Sequence, residues 1–345
     1  MAGYFAEETI TPVAGANTLL CFAIDQSSNR DHTRYYQKLV DTQSLHERPL
    51  GSLAVLDTLT PTLLAAMPPT LYQQYRPIPA RLPARIPAFA LGCQHAAIIG
   101  LIFTVVYPYS LLRLVDTVDQ RIVAEYPLPH CYRAQFNSTG TRCLAAGIKD
   151  YTVFQIDHGL VPLFTLDGGD DTTLAYHPMW CAHRWCLFQR TNRVWFLTVF
   201  DEATGSIVDR IRLHGRPDSM SAAQSVPIIA CAISHNRVQL INIDTRRSRV
   251  VRHPDLSPQS IPLDVRIAPN GHHIMARSRV DEHLWGIGDG DTMTGLITLP
   301  RTEEALNVTD VLLSQPGFCV LNDQYLTITR GRVTAYAHPL PPTSC

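Results

Sequence analysis

The feature that most limits what this chain can fold into is a recurring apolar run that ends in aspartate. Stretches rich in Val, Ile, Leu and Phe close on Asp six times: Ser52–Asp57, Leu111–Asp116, Tyr151–Asp157, Val194–Asp201, Val238–Asp244 and His283–Asp289. The intervals between those aspartates are 59, 41, 44, 43 and 45 residues. Turn-forming residues and a second apolar run follow, as in Gln120–Tyr126 and Gly205–Leu213. An aspartate opens a tight turn because its carboxylate accepts hydrogen bonds from backbone N–H groups just ahead of it. Each one therefore marks a hairpin.

A second hairpin stands upstream of the first in several repeats. Arg133–Gly140 leads through Asn137 into Arg142–Gly147, and Val265–Gly271 leads through Asn270 into His273–Ser278. Each unit of about 43 residues thus offers four short strands, the size of one β-propeller blade. The expected fold is all-β: a seven-bladed β-propeller of four-stranded antiparallel blades, a single domain over residues 1–345. Six blades carry the aspartates. The seventh is Gly317–Leu321, Gln324–Thr329 and Arg332–Ala337, one strand short. An N-terminal strand, Tyr4–Thr11, is expected to close this last blade, while Leu19–Ile24 and Tyr35–Val40 start blade one. Closure removes an exposed sheet edge that would otherwise template aggregation.

Phe136–Gly140 followed by Tyr151–Asp157, and Ile267–Gly271 followed by Leu284–Asp289, resemble degenerate WD40 repeats, in which a Gly-containing turn precedes a Trp-Asp strand end by about this distance. The resemblance spans residues from about 50 to 338. The residue before each aspartate is Leu56, Val115, Ile156, Phe200, Ile243 or Gly288, never Trp, and His214-Gly215 reverses the family's Gly-His pair. Hydrophobic packing is therefore expected where the family has a buried Asp–His–Ser network.

The long first interval contains an insertion at about 68–87, between blades one and two, with six prolines and three arginines in 20 residues. Proline removes ladder donors and favours extended backbone, so this stretch runs over the surface. It is either a brace between blades or a recognition segment presenting Tyr72, Tyr75, Arg76, Arg81 and Arg85 to a partner. The other basic cluster, Arg246, Arg247 and Arg249, follows Asp244 in a hairpin. It is either a solvated turn or a contact for an acidic partner.

The 29 basic and 30 acidic residues give a net charge of −1, which argues against bulk phosphate binding and so against nucleic acid as a partner. Only Lys38 and Lys149 are lysines. The nine cysteines lack the regular spacing of a disulfide framework, and most sit in apolar runs as Cys21 and Cys231 do. The N-terminus has no basic and apolar signal pattern, so an intracellular location, cytoplasmic or nuclear, is expected. Between Phe89 and Val115 the continuous apolar piece Ala96–Val106 has 11 residues, against the ~20 a spanning helix needs, so two strands joined at Pro108 are expected rather than a membrane span.

The densest metal-like group is Cys181, His183 and Cys186 within His177–Cys186, but the spacing matches no familiar zinc knuckle, and a turn followed by a strand is the simpler reading. On that reading Trp180 and Trp185 fill a core between blades. Asp167–Asp171 and Asp289–Asp291 lack the ligand series of a calcium loop. No P-loop, G-x-G-x-x-G, G-x-S-x-G or H-E-x-x-H motif occurs. No catalytic residue, cofactor, small-molecule substrate or resident metal is assigned. The favoured expectation is a non-catalytic scaffold that binds other proteins as a subunit of a complex. The competing one is a propeller enzyme of hydrolase or lactonase type, with a polar or metal site at its central channel.

Overall fold

The computed structural model describes residues 6–7, 9–12, 18–24, 35–41, 43–52, 60–66, 91–93, 100–106, 111–116, 119–128, 133–146, 151–156, 159–168, 174–223, 225–233, 237–252, 264–268, 271–277, 282–288, 292–299, 314–315, 317–321, 324–329 and 332–336. Most of them are in strands. A one-and-a-half-turn helix, α1 (Pro61–Ala66), starts with proline, whose fixed φ suits the first helical position. No helix among the described residues is long and apolar enough to cross a membrane.

The chain divides into two compact units. The first holds β1 (Ala6–Glu7) and three four-stranded sheets whose strands neighbour one another in chain order. They are β2 (Thr9–Pro12), β3 (Thr18–Ile24), β4 (Tyr35–Asp41) and β5 (Glu47–Ser52); β6 (Leu91–Cys93), β7 (Gly100–Val106), β8 (Leu111–Asp116) and β9 (Arg121–Pro127); and β10 (Arg133–Phe136), β11 (Arg142–Ala146), β12 (Tyr151–Ile156) and β13 (Leu160–Leu166). The apolar stretch at 100–116 is thus the antiparallel pair β7–β8, as its proline break implies.

The second unit repeats the pattern three times. Its sheets are β14 (Leu174–Cys181), β15 (Arg184–Thr191), β16 (Val194–Asp201) and β17 (Ile207–Arg212); β18 (Pro217–Ala222), β19 (Ile228–Ile233), β20 (Arg237–Asn242) and β21 (Ser248–Arg252); and β22 (Asp264–Ile267), β23 (His273–Arg277), β24 (Glu282–Gly288) and β25 (Thr292–Leu299). A short strand, β26 (Ser314–Gln315), precedes the three-stranded sheet of β27 (Gly317–Leu321), β28 (Gln324–Thr329) and β29 (Arg332–Tyr336).

Alternate strand residues face opposite sides, and in the middle sheet of the second unit both sides are apolar. Cys231 and Ile241 join Cys186, Phe188 and Leu197 of the preceding sheet in one core, while Ala230 and Leu240 join Val265, Ile267 and Ile274 of the following sheet in another. This sheet therefore stacks face to face with the sheets before and after it, supplying part of two cores.

The phase of the repeat is set at the end of each third strand. Asp41 Oδ1 accepts hydrogen bonds from the N–H groups of Gln43 (3.1 Å) and Ser44 (2.7 Å). Asp201 Oδ1 accepts from Ala203 and Thr204 (both 3.0 Å), and Asp116 Oδ1 from Asp119 (3.1 Å). In the fifth sheet the capping residue is Asn242, which accepts from Asp244 (3.1 Å) and Thr245 (3.0 Å). Four residues after each cap the backbone turns left-handed, at Leu45 (φ 55), Gln120 (φ 53), Gly205 (φ 69) and Arg246 (φ 60). One turn type thus closes four hairpins with four different residues at its strained position.

These turns correct two expectations. The cap of the first sheet is Asp41, not Asp57, and that of the fifth is Asn242, two residues ahead of Asp244. The first correction carries a second. With Asp41 ending the third strand, the first sheet needs a strand ahead of β3, and Thr9–Pro12 supplies it, Ile10 lying opposite Cys21. Among the described residues the N-terminal segment therefore adds no fourth strand to β27–β28–β29. Ala6–Glu7 pair instead in parallel with Ser314–Gln315.

The upstream hairpins form where their turn residues place them. Asn137 Oδ1 accepts from Arg142 N (3.0 Å), and the turn runs through Gly140 at φ 70. Gly271 (φ 76) turns β22 into β23, and a Cβ there would stand 1.9 Å from Cγ2 of Val226. Only glycine fits both the angle and the space.

Candidate partner-binding surface

The buried polar groups come first, because they determine which charges remain free to act outside. Three residues before the cap of a third strand stand Lys38, Arg113, Thr198 and Gln239, all buried. Each is held by a polar partner. Arg113 Nε donates to Glu125 Oε1 on β9 (2.9 Å), its Nη2 lies 2.8 Å from the same oxygen, and Thr60 Oγ1 donates to Glu125 Oε2 (2.5 Å). Lys38 Nζ donates to Glu47 on β5 (2.5 Å). Thr198 donates to Gln189 Oε1, whose Nε2 donates to the carbonyl of Asp167 (2.9 Å). Gln239 accepts from His214 N–H (3.0 Å) and donates to Ser248 Oγ on β21 (2.6 Å). Buried polar pairs thus stand beside the hydrophobic packing at this position of the third strands. A charge taken out of water requires such a partner.

The Cys181, His183 and Cys186 group divides along the strand alternation. Both thiols are fully buried in the apolar core of the fourth and fifth sheets, whereas His183 stands on the exposed β14–β15 turn. Cys181 Sγ donates to the carbonyls of Val226 (3.6 Å) and Ile228 (3.5 Å). Burial raises the pKa of Cys181, Cys186 and Cys231, which disfavours the thiolate that a metal or an electrophile would need. No group of three or more His, Cys, Asp or Glu placed to hold a metal occurs among the described residues. Trp180 and Trp185 are buried opposite each other on β14 and β15, edge to face, with ring centroids 4.6 Å apart.

What faces outward lies on the fourth strands and their turns. The exposed large apolar side chains among the described residues are Leu50 on β5, Val161 and Leu163 on β13, and Ile207 and Val208 on β17. On β13 Leu160 packs on the core and Leu166 is buried, while Val161, Pro162, Leu163 and Thr165 are exposed. Strand β17 adds exposed Arg210 and Arg212, and the β20–β21 hairpin adds Arg246, Arg247 and Arg249, all exposed. Arg246 Nε lies 2.8 Å from Oδ2 of Asp209 on β17, so the hairpin is fastened to the sheet before it. Tyr72, Tyr75, Arg76, Arg81 and Arg85 lie outside the described residues.

Sequence reasoning placed the hairpin arginines on the surface but missed Arg113 and Lys38 as interior groups, along with the exposed apolar residues of β13 and β17. The signal for the first two was their common position, three residues before the strand-ending aspartate. The outer strands gave none, since exposed Val and Ile in a strand read like buried ones.

No family model matches the chain, and no curated protein matches it. Solved structures do. Hydrazine synthase of Kuenenia stuttgartiensis is 12% identical, with a TM-score of 0.60, and the alignment covers 97% of this chain and 96% of that one. The β-propeller domain of Swd1 from Myceliophteria thermophila is 10% identical at a TM-score of 0.56, covering 97% of this chain and 98% of the domain. A chain of the mitotic checkpoint complex is 9% identical at a TM-score of 0.57, covering 96% and 89%. At these identities the likeness is one of fold, and the fold is that of a WD40-like β-propeller.

Proposed function

We propose that the chain is a single propeller of seven blades, the seventh built on β27–β28–β29, and that it serves as a non-catalytic scaffold within a multiprotein complex. Likeness over 97% of this chain to a propeller domain of nearly the same extent supports one ring rather than a fragment of one. Fold alone does not choose a function, since an enzyme and an assembly subunit share this architecture. The observation that carries the reading is exposure on the fourth strands: apolar Val161 and Leu163 on β13, and apolar Ile207 and Val208 beside exposed Arg210 and Arg212 on β17. Arginine and solvent-exposed apolar groups on a rigid frame suit a protein interface. The Pro/Arg insertion, with Tyr72, Tyr75, Arg76, Arg81 and Arg85, is proposed as a further partner contact. Buried Cys143, Cys181, Cys186 and Cys231, all free thiols, are in keeping with a reducing, intracellular setting.

Affinity purification of the full chain from its native cells, with size-exclusion chromatography and mass spectrometry, tests this. The expected result is one or more proteins co-eluting in fixed stoichiometry. A chain that elutes alone overturns the reading, as does one carrying a full equivalent of zinc or calcium and hydrolysing an ester or lactone.

A further inference from the structure

We propose that the β20–β21 hairpin is a docking site for an acidic segment of a partner protein. The inference rests on the scaffold reading and adds the chemistry of the ligand. Its basis is an imbalance of charge within a fixed turn. Asp209 is occupied by Arg246 at 2.8 Å, and Asp244 faces His183 of the β14–β15 turn, Oδ1 to Nε2 at 3.5 Å. The carboxylates near the hairpin are thus turned toward Arg246 and His183, not toward Arg247 or Arg249. Arg247 and Arg249 are exposed, and no carboxylate among the described residues pairs with them.

The backbone that presents them is held from both sides. Asn242 N–H donates to the carbonyl of Arg247 (2.9 Å), while Asn242 Oδ1 accepts from Asp244 and Thr245. Arg246 sits at φ 60, where a side chain other than glycine's is strained, and its guanidinium is anchored on the neighbouring sheet. Little further ordering of the backbone is then needed on binding, which removes part of the entropic cost of association. Guanidinium groups favour carboxylates because two N–H groups meet two oxygens in one plane.

An acidic protein fits better than a nucleic acid. The net charge of the chain is −1, and residues 242–249 include no aromatic side chain on which a base could stack.

The test uses the full chain and a fluorescein-labelled twelve-residue peptide of alternating Glu and Asp, read by fluorescence anisotropy. An uncharged Gln/Asn peptide and a twelve-nucleotide single strand run beside it. Binding of the acidic peptide should weaken between about 50 and about 200 mM salt, and fall at least about tenfold in the R247E/R249E variant. The R48E/R193E variant alters net charge equally at exposed sites elsewhere and should bind as the parent does. Equal loss in both variants, no binding by the parent, or tighter binding of the oligonucleotide would overturn the proposal. Partners that co-purify with R247E/R249E as fully as with the parent would remove this site while leaving the scaffold reading intact. Absence of any partner from the parent would remove the scaffold reading itself.

Discussion

In three of the four capped hairpins one side chain carries a backbone cost that glycine would avoid. Left-handed backbone costs an L-residue about 1–2 kcal/mol, because Cβ crowds the following carbonyl. Gly205 escapes this, while Leu45 at φ 55 and Arg246 at φ 60 do not. Leu45→Gly should therefore stabilise the protein by about 0.5–1 kcal/mol, the relief of strain exceeding the added chain entropy, and Gly205→Ala should destabilise it by about 1–2 kcal/mol. Urea midpoints of the two variants check this, and shifts of the same sign would contradict it. The capping aspartates give a second prediction. Hydrogen bonds from Ser44 hold the Asp41 carboxyl below its ordinary pKa, and those from Thr204 do the same for Asp201. The native state therefore binds fewer protons at these sites than the unfolded chain. Their stabilisation is complete above the unfolded carboxylate range near 4 and is lost as pH falls through the lower native value. Asn242 performs the same capping with an amide. The D41N/D201N variant should keep its turns and lose less stability than the parent between about pH 5 and pH 2, followed by circular dichroism in urea at each pH. Parallel acid profiles would show that the two carboxylates contribute nothing.

At the scale of strands and sheets, the legible part was wherever turn chemistry and apolar alternation agreed. Asn137 with Gly140, and Gly271, placed hairpins that the structure contains, and the apolar runs at 111–116, 151–156 and 194–201 are third strands. The phase of the first sheet was hidden because, as sequence, Ser52–Asp57 imitates a capped strand as well as Tyr35–Asp41 does, and it is the pairing of Tyr35–Asp41 with both β3 and β5, and the hydrogen bonds to Asp41, that identify the third strand. The interior charges were hidden for a different reason. A basic residue within Leu111–Asp116 reads as the solvent face, and the groups that hold Arg113 inside lie at Glu125 and at Thr60, on separate elements. Removing Glu125 takes from the buried Arg113 the carboxylate that meets two of its nitrogens. Glu125→Ala should thus cost about 3–5 kcal/mol, whereas R113M/E125L should recover most of that loss. Glu47→Ala should cost far less, since Glu47 is 44% exposed and water can replace it beside Lys38. Equilibrium urea unfolding of the four proteins separates these outcomes. A loss under about 1 kcal/mol for Glu125→Ala would mean that the pair behaves as a surface contact.

For the molecule as a whole, the proposed ring requires its two ends to be joined, and the described residues supply one direct link, the parallel pair of Ala6–Glu7 with Ser314–Gln315. It is short, so its value lies in what it prevents: a ring left open presents unpaired strand edges that can take up a second chain. Strand β2 plays a separate part, completing the first sheet against β3. Deleting residues 1–8 removes β1 and spares β2. Deleting residues 1–13 removes both and leaves β3 as an edge carrying Leu19, Leu20 and Phe22. If the β1–β26 pair fastens the ring, the shorter deletion should lower the melting temperature by several degrees while the protein stays monomeric. The longer one should lower it further and drive self-association, seen by size-exclusion chromatography with light scattering. In both, unfolding should remain one cooperative transition if the seven sheets are a single domain. A shorter deletion that melts with the parent would take the β1–β26 pair out of the closure. Two separate transitions in the parent would divide the ring into independently folded halves, and the chain would then offer two interaction modules where one is proposed.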